Sequence, residues 1–372
     1  MIQPGKRTKV IWSLEGSRLN EFDMRKLVEN NVAALRLIYS VEYEKELLFF
    51  LQALKIFRSD HGLYLPVMLD LADFSFNFSI LSDLEVDYLV LPGAYLDQIL
   101  HTKEVLSSFK NSPWVIGKID SYAIYEKLDD LLDSVDGVMI CRRELSLTTH
   151  PATVPMLGKQ ITQKSFEKAK LVIMASEVLA SMRHNPTPTR AEVSDIANAV
   201  IDGCDGVVLS EEVELGPYQE RAYEVCHSII SDIENETQIS INWQRGAFEI
   251  ANELDAVSYY AYQTAERLKA KAIVCITKTG NTAMRLSSFR LAIPIIAITF
   301  TERIRRRLSL IRGVTPLVLD TDPNLDEILP AIHDRLRRES WLNKGDPIVF
   351  VTVTISSMGS EASNLFSIQR VE

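Results

Sequence analysis

The chain has 372 residues, 47% hydrophobic and 24% charged, with a net charge of −10 and a pI near 5.3. That length exceeds what one core comfortably organises, so two domains are expected, and the acidic balance argues against general binding to nucleic acid or to an anionic membrane. The cysteines Cys141, Cys204, Cys226 and Cys275 form no C-x-x-C pair, and "MIQPGKRTKV" lacks a signal peptide's apolar stretch, so a soluble, reduced, cytoplasmic protein is expected, without a disulfide framework.

Short apolar runs, each the length of a buried parallel strand, follow one another from the start. They are "TKVIWSL" from Thr8, "AALRLI" from Ala33, "LPVMLD" from Leu65, "DYLVLPG" from Asp87, "WVIGKID" from Trp114, "GVMICR" from Gly137, "KLVIMAS" from Lys170 and "GVVLS" from Gly206. Helical patterns such as "NEFDMRKLVENN" and "DSYAIYEKLDDLLDSV" fill most of the gaps. Eight β-then-α units are what a (β/α)8 TIM barrel requires, and an open doubly wound sheet has the same rhythm. From about Ile239 the pattern changes. A long helix, "DAVSYYAYQTAERLKAKA", precedes strands "AIVCIT", "IPIIAIT", "VTPLVLD", "DPIVFVTV" and "LFSIQRV". The expectation is a barrel over 1–236 and a smaller α/β domain with an open sheet over 237–372, joined through the polar stretch "SDIENETQIS". Apolar runs such as "LAIPIIAITF" are too short to span a bilayer.

Residues 186–210, "PTPTRAEVSDIANAVIDGCDGVVLS", carry the resemblance that organises the rest. They are similar, almost throughout, to the pyruvate kinase motif P-x-P-T-R-A-E-x-S-D-x-A-N-A-V-x-D-G-x-D-x-x-x-L-S. The resemblance implies a phosphotransferase moving phosphate between phosphoenolpyruvate and ADP in glycolysis, with Mg2+ and K+, usually as a dimer or tetramer. It also implies an inserted lid domain after the third strand, where this chain has only "LADFSFNFSILSDLEV". Lids exclude water and complete such sites, so weakened catalysis is expected.

Strand ends hold the chemistry of such barrels. Where the family has R-L-N-F-S-H, "RLIYSV" keeps Arg36 and Ser40, for phosphate and an inner oxygen, but puts Ile38 for asparagine and Val41 for histidine. Asp70 is followed by Leu71 and Ala72 instead of threonine and lysine. A K+ site is therefore not expected, because an isoleucine offers no oxygen. In "GKIDS", Lys118 matches the lysine that stabilises the transferring phosphoryl group, and Asp120 stands for a metal-binding glutamate. In "CRRELS", Glu144 stands for the second metal-binding carboxylate, and Arg143 replaces a glycine beside the substrate carboxylate. Arg143 either pairs with Asp120 or Glu144 or points to solvent. With Asp70, these two carboxylates are the candidate Mg2+ or Mn2+ ligands. "ASEVLASM" keeps the Ser176 hydroxyl, for substrate and proton delivery, beside a new carboxylate, Glu177. In "LSEEVELGPY", Glu212 is retained and Glu211 replaces glycine.

The second domain has "TKTGNTA", similar to the family's effector-binding T-x-S-G-x-T-A. Read chemically, Thr277, Thr279 and Thr282 offer hydroxyls, Gly280 permits close approach, Lys278 adds charge, and Asn281 opens a helix whose first N–H groups suit an anion. A phosphorylated small molecule is the expected ligand. No P-loop motif occurs, and the histidines show no metal-ligand spacing. The expectation is thus a lidless pyruvate-kinase-like protein, impaired and regulatory. The alternatives are a working pyruvate kinase and a metal-dependent lyase or aldolase acting on a pyruvate enolate.

Overall fold

The structure is a computed structural model and describes residues 7–82, 84–109, 111–236, 250–319, 325–354 and 363–371. Two compact units divide the chain, one spanning residues 8–241 and the other combining residues 1–7 with those from 242 onward. The boundary expected between 236 and 237 lies at the edge of the described residues. Six of the ten residues of the expected linker are helical instead, because residues 231–236 complete the helix Gln219–Glu236.

The first unit is a closed barrel of eight parallel strands in sequence order, which excludes the open sheet. They are β1 (Lys9–Glu15), β2 (Ala34–Ile38), β3 (Val67–Asp70), β4 (Tyr88–Pro92), β5 (Trp114–Ile119), β6 (Gly137–Cys141), β7 (Leu171–Ala175) and β8 (Gly206–Leu209). Each coincides with an apolar run, because a strand covered on both faces has no need of alternation. Leu35, Leu69, Ile116, Met139 and Ile173 are wholly buried, each contributing about 1.5–3 kcal/mol on transfer from water.

Three aspartates form a seam at the N-terminal end of the barrel. The carboxylates of Asp87, Asp136 and Asp205 accept from the N–H of Val67 at 3.0 Å, Val115 at 2.8 Å and Val172 at 2.8 Å. The carbonyl of each valine accepts the same aspartate's N–H in return. Asp87 and Asp205 are buried and Asp136 is half-buried, at the end of the barrel where stability, not chemistry, is usually invested.

Two expected helices are broken. "NEFDMRKLVENN" holds only the end of a first helix, Arg18–Glu21, and then Arg25–Glu29, with a turn between them in which the Asp23 carboxylate takes the Arg25 N–H at 3.0 Å. "DSYAIYEKLDDLLDSV" forms Tyr122–Glu126 and Leu128–Ser134, interrupted at Lys127. The helix Arg190–Asp202 follows its sequence closely. Thr189 and Glu192 make a capping box, and Gly203 ends the helix at φ +90°, where a side chain would be strained.

The second unit is an open sheet in the order β11–β10–β9–β12–β13. Its strands are β9 (Ala272–Ile276), β10 (Ile295–Thr299), β11 (Val314–Val318), β12 (Pro347–Thr354) and β13 (Ser363–Arg370). β13 alone runs antiparallel, beside β12. Val274, Ile296, Ile298, Leu336 and Phe350 form the centre of its core. No described helix in either unit is long and apolar enough to cross a membrane.

Candidate active site

Arg36, Asp70 and Lys118 leave the C-terminal halves of β2, β3 and β5 and meet at the rim. Register sets Arg36 beside Ser13, and Ile38 beside Asp70. Asp70 is the hub. Its Oδ2 accepts from Arg36 Nε at 2.8 Å, with Nη2 of the same guanidinium at 2.5 Å. Its Oδ1 accepts from Lys118 Nζ at 2.8 Å, and the same ammonium donates to the Leu71 carbonyl at 2.7 Å. Arg36 Nη1 donates to the hydroxyls of Ser13 at 3.3 Å and Ser210 at 3.2 Å. Burial alone would lower the Arg36 guanidinium's pKa, but the Asp70 carboxylate more than offsets this and raises it.

Side-chain exposures of 14% for Arg36, 3% for Asp70 and 15% for Lys118 describe a nearly dry pair of ion pairs whose cations keep a little exposure. An ammonium has three protons, and only two are taken by Asp70 and Leu71. The third can meet a ligand oxygen.

The metal set expected from sequence divides. Asp70 is committed to the two cations, and no group of three His, Cys, Asp or Glu residues suited to a metal occurs among the described residues. Asp120 and Glu144 do interact. Burial raises the Asp120 carboxyl above its usual range, Lys118 pulls it down and Glu144 pushes it up again. Two carboxylates that repel each other fit a divalent cation in charge and in donor type.

Arg143 takes neither role first expected of a paired arginine. It approaches Glu177 at 3.5 Å, with both side chains more than half exposed, and leaves Asp120 and Glu144 to themselves. The helix Arg142–Thr148 begins at the end of β6 and sets this outward direction. The Ser176 hydroxyl donates to Glu144 at 2.7 Å. Ser176 and Glu177 both lie in the left-handed region, at φ +73° and +51°, a conformation that costs roughly 1–3 kcal/mol per residue and persists where surroundings enforce it. Ser40 follows β2 at the start of a single 3-10 turn, Val41–Tyr43.

Sequence reasoning missed several rim residues. Ser13 and Ser210 orient Arg36, and hydroxyls in strands give little warning of such a task. Cys141 lies at the end of β6, where burial, with Asp70 and Glu144 adding, pushes its thiol up to about 12 and keeps it inert. Glu214 is 8% exposed, and its Oε1 has no hydrogen-bond partner. Burial first, then the Glu15 charge, pushes its carboxyl up to about 7, against the pull of Arg36. The available signal was a third glutamate, in "SEEVE", at a place where the motif has alanine. Glu212 accepts the N–H groups of Leu179 and Ser210, and Glu211 pairs with Arg183.

In the second unit the six residues of the expected phosphate cradle have different parts. Thr277 Oγ1 accepts the Gly280 N–H at 2.9 Å, and Gly280, at φ +100°, opens the helix Asn281–Ser288. Thr277 and Thr282 are buried. Lys278, Thr279 and Asn281 are exposed, with the Lys278 ammonium 5.8 Å from the centre of the Phe300 ring.

Comparison with known proteins decides the family. A model described as the barrel domain of pyruvate kinase matches residues 94–223, and one described as its alpha/beta domain matches 255–369. The chain belongs to the pyruvate kinase family. A pyruvate kinase of Clostridium acetobutylicum is 34% identical over 263 residues, covering 69% of this chain and 54% of that protein. A pyruvate kinase of Clostridium perfringens is 30% identical over 298 residues, covering 78% and 62%. The chain thus spans about half the length of the curated relatives it matches. The crystal structure of a pyruvate kinase from Cryptosporidium parvum has a TM-score of 0.81 at 20% identity, over 99% of this chain and 97% of that one, a likeness of fold.

Proposed function

We propose that the barrel rim binds a phosphorylated enol acid of the phosphoenolpyruvate type and transfers its phosphoryl group to ADP. The observation that carries this reading is the pair of cations, Arg36 and Lys118, held on opposite oxygens of Asp70 while each keeps part of its side chain exposed. Donors held in place before the ligand arrives need no reorganisation as charge develops, which is the main electrostatic resource of phosphoryl transfer. The relatives support an enzyme more than an impaired form, since they are named as pyruvate kinases.

In this reaction the enol C–O–P link breaks at phosphorus, a terminal ADP oxygen takes the phosphoryl group, and the enolate carbon receives a proton. Arg36 binds phosphoryl oxygens, and Lys118 places its third proton toward the oxygen that gains charge. Asp120 and Glu144 would hold Mg2+ or Mn2+, which when bound would neutralise phosphate charge. Ser176, bonded to Glu144, supplies a hydroxyl for proton delivery. Arg143, turned toward Glu177, contributes only to the potential at the mouth. A homodimer or homotetramer is part of this reading, and light scattering tests it.

A second reading, binding with weak turnover, is favoured by the connection between β3 and β4. Residues 71–87 join them directly, with a short 3-10 turn at Phe78–Ser82 and no room for an inserted domain. A coupled assay with phosphoenolpyruvate, ADP and Mg2+ separates the two. Turnover of roughly 1–100 s−1 supports the enzyme. A thermal shift with phosphoenolpyruvate but far slower turnover supports the second reading, and neither response defeats both.

A further inference from the structure

We infer that Glu214 is a positioning residue that sets the charge available at Arg36, so that protonation of this one carboxyl strengthens the hold of the barrel rim on a phosphoryl group. This control acts on the site proposed above and rests on the phosphate role given there to Arg36. The first ground is position. Arg36 Nη1 donates to the Ser210 hydroxyl at 3.2 Å, and Ser210 heads the short helix Glu211–Glu214 that follows β8. Glu212 pins that turn, accepting the N–H of Ser210 at 2.7 Å and that of Leu179 at 3.0 Å. Glu214 thus sits on a fixed turn that Arg36 itself touches, and it acts on the guanidinium through charge, not through movement.

The second ground is the state of the carboxyl. Glu214 is 8% exposed, and its Oε1 is buried without a hydrogen-bond partner, so no donor on that oxygen favours the ionised form. Burial first and Glu15 second push the group up to about 7, and both of its forms exist near neutral pH. The charged groups around it are Glu15 at the end of β1, Arg36 on β2, and Glu211 and Glu212 on its own helix. The packed segment Ala180–Arg183 brings Arg183, which Glu211 pairs. The helix Gln219–Glu236 brings Glu220, which turns to Lys26, and Gln219, whose amide donates to the Glu214 main-chain carbonyl at 3.0 Å. Arg36 is thus the cation to which an ionised Glu214 responds.

The third ground is charge balance. Arg36, Asp70 and Lys118 together carry one net positive charge, and an ionised Glu214 cancels it. A phosphoryl group then meets a neutral set instead of a cationic one, and so poorly hydrated a place screens the difference little.

Calorimetry of phosphoenolpyruvate binding at pH 5.5, 7 and 8.5, on either side of the carboxyl's midpoint, tests this. The full chain carries Lys278→Ala and Thr279→Ala, so that only the barrel is read. Comparing Glu214→Gln with this parent at each pH cancels the ligand's own ionisation. The two should bind alike at pH 5.5, and the parent should bind at least about fivefold more weakly at pH 8.5, the lower end of ordinary coupling between sites. Coupling is reciprocal, so at pH 7 the parent should take up more protons on binding than the variant, read in buffers of different ionisation heat.

A ratio of affinities that stays constant across pH gives Glu214 a merely structural role and overturns the inference, while the phosphate site stands. No binding by either chain at any pH overturns the phosphate role and the inference with it. Glu214→Ala gives the same comparison if the glutamine variant fails to fold.

Discussion

Arg36 and Lys118, on strands that are not neighbours in the barrel, hold opposite oxygens of one buried carboxylate. Asp70 Oδ2 takes the guanidinium, and Oδ1 takes the ammonium at 2.8 Å. Removing the charge while keeping the shape, by Asp70→Asn, leaves two half-buried cations facing a neutral amide. Breaking such an arrangement by losing one partner costs about 3–5 kcal/mol. Chemical denaturation should report that loss, and a change below about 1 kcal/mol would mean that solvent, not Asp70, balances the two cations.

Glu214 makes stability depend on pH. Its folded carboxyl titrates at about 7 against an ordinary 4.5, so the folded protein holds the proton more tightly than the unfolded chain does. Stability is therefore greatest below the unfolded value, falls as pH rises through the interval from 4.5 to about 7, and levels off above it. The whole interval corresponds to roughly 3 kcal/mol. Glu214→Gln should remove this slope. Denaturation midpoints at pH 5, near the lower end of the interval, and at pH 8, above its upper end, check it, and an unchanged slope in the variant would assign the effect elsewhere.

Arg143 should be dispensable for folding. Its contact with Glu177 is a 3.5 Å pair between exposed groups, and such pairs are worth about 0–1 kcal/mol. Arg143→Ala is expected to change stability by less than about 0.5 kcal/mol. Calorimetry with Mn2+ should find an affinity within about threefold of the parent, since a solvated charge is well screened. A large gain in affinity would show that the arginine guards Asp120 and Glu144 after all.

The turn at residues 277–282 should bind a phosphorylated metabolite through Lys278, Thr279 and the first N–H groups of the helix Asn281–Ser288. At a hundredfold excess over Kd, binding to the folded state alone stabilises by about 2.7 kcal/mol. A thermal-shift series with sugar phosphates and phosphorylated acids tests it. The doubly substituted Lys278→Ala, Thr279→Ala chain should lose the shift, while Thr277→Ala should instead weaken the turn, because its hydroxyl oxygen holds the Gly280 N–H.

The eight barrel strands were legible because each is an uninterrupted apolar run between polar helices, and a strand buried on both faces must look like that. Helix interruptions at Asp23 and Lys127 were not, since periodicity continues across a local restart. Arg36, Asp70 and Lys118 could be named one at a time from their strand ends, but their union could not. It depends on how β2, β3 and β5 converge at the rim, which no spacing along the chain encodes. The direction of Arg143 was open for the same reason, being set by where the helix Arg142–Thr148 begins. Glu214 was overlooked among neighbouring glutamates, because only burial separates it from them.

The aspartate seam has a consequence for how the barrel comes apart. Each carboxylate bolts one odd strand to the next even one: Val67 to Asp87, Val115 to Asp136 and Val172 to Asp205. At the same end, the joints from Asp87 to Trp114, from Asp136 to Leu171 and from Asp205 to Lys9 use main-chain bonds. Of the two remaining pairs, β1 and β2 share the Tyr223 hydroxyl, which takes the Ala33 N–H at 3.3 Å and reaches the Val10 carbonyl at 3.5 Å, and β2 meets β3 through the main-chain bond from the Leu35 N–H to the Pro66 carbonyl at 3.0 Å. The wall is thus assembled from doubled staves, and hydrogen exchange should find it loosening two strands at a time, with the valine amides inside each doublet the last to trade their protons for solvent.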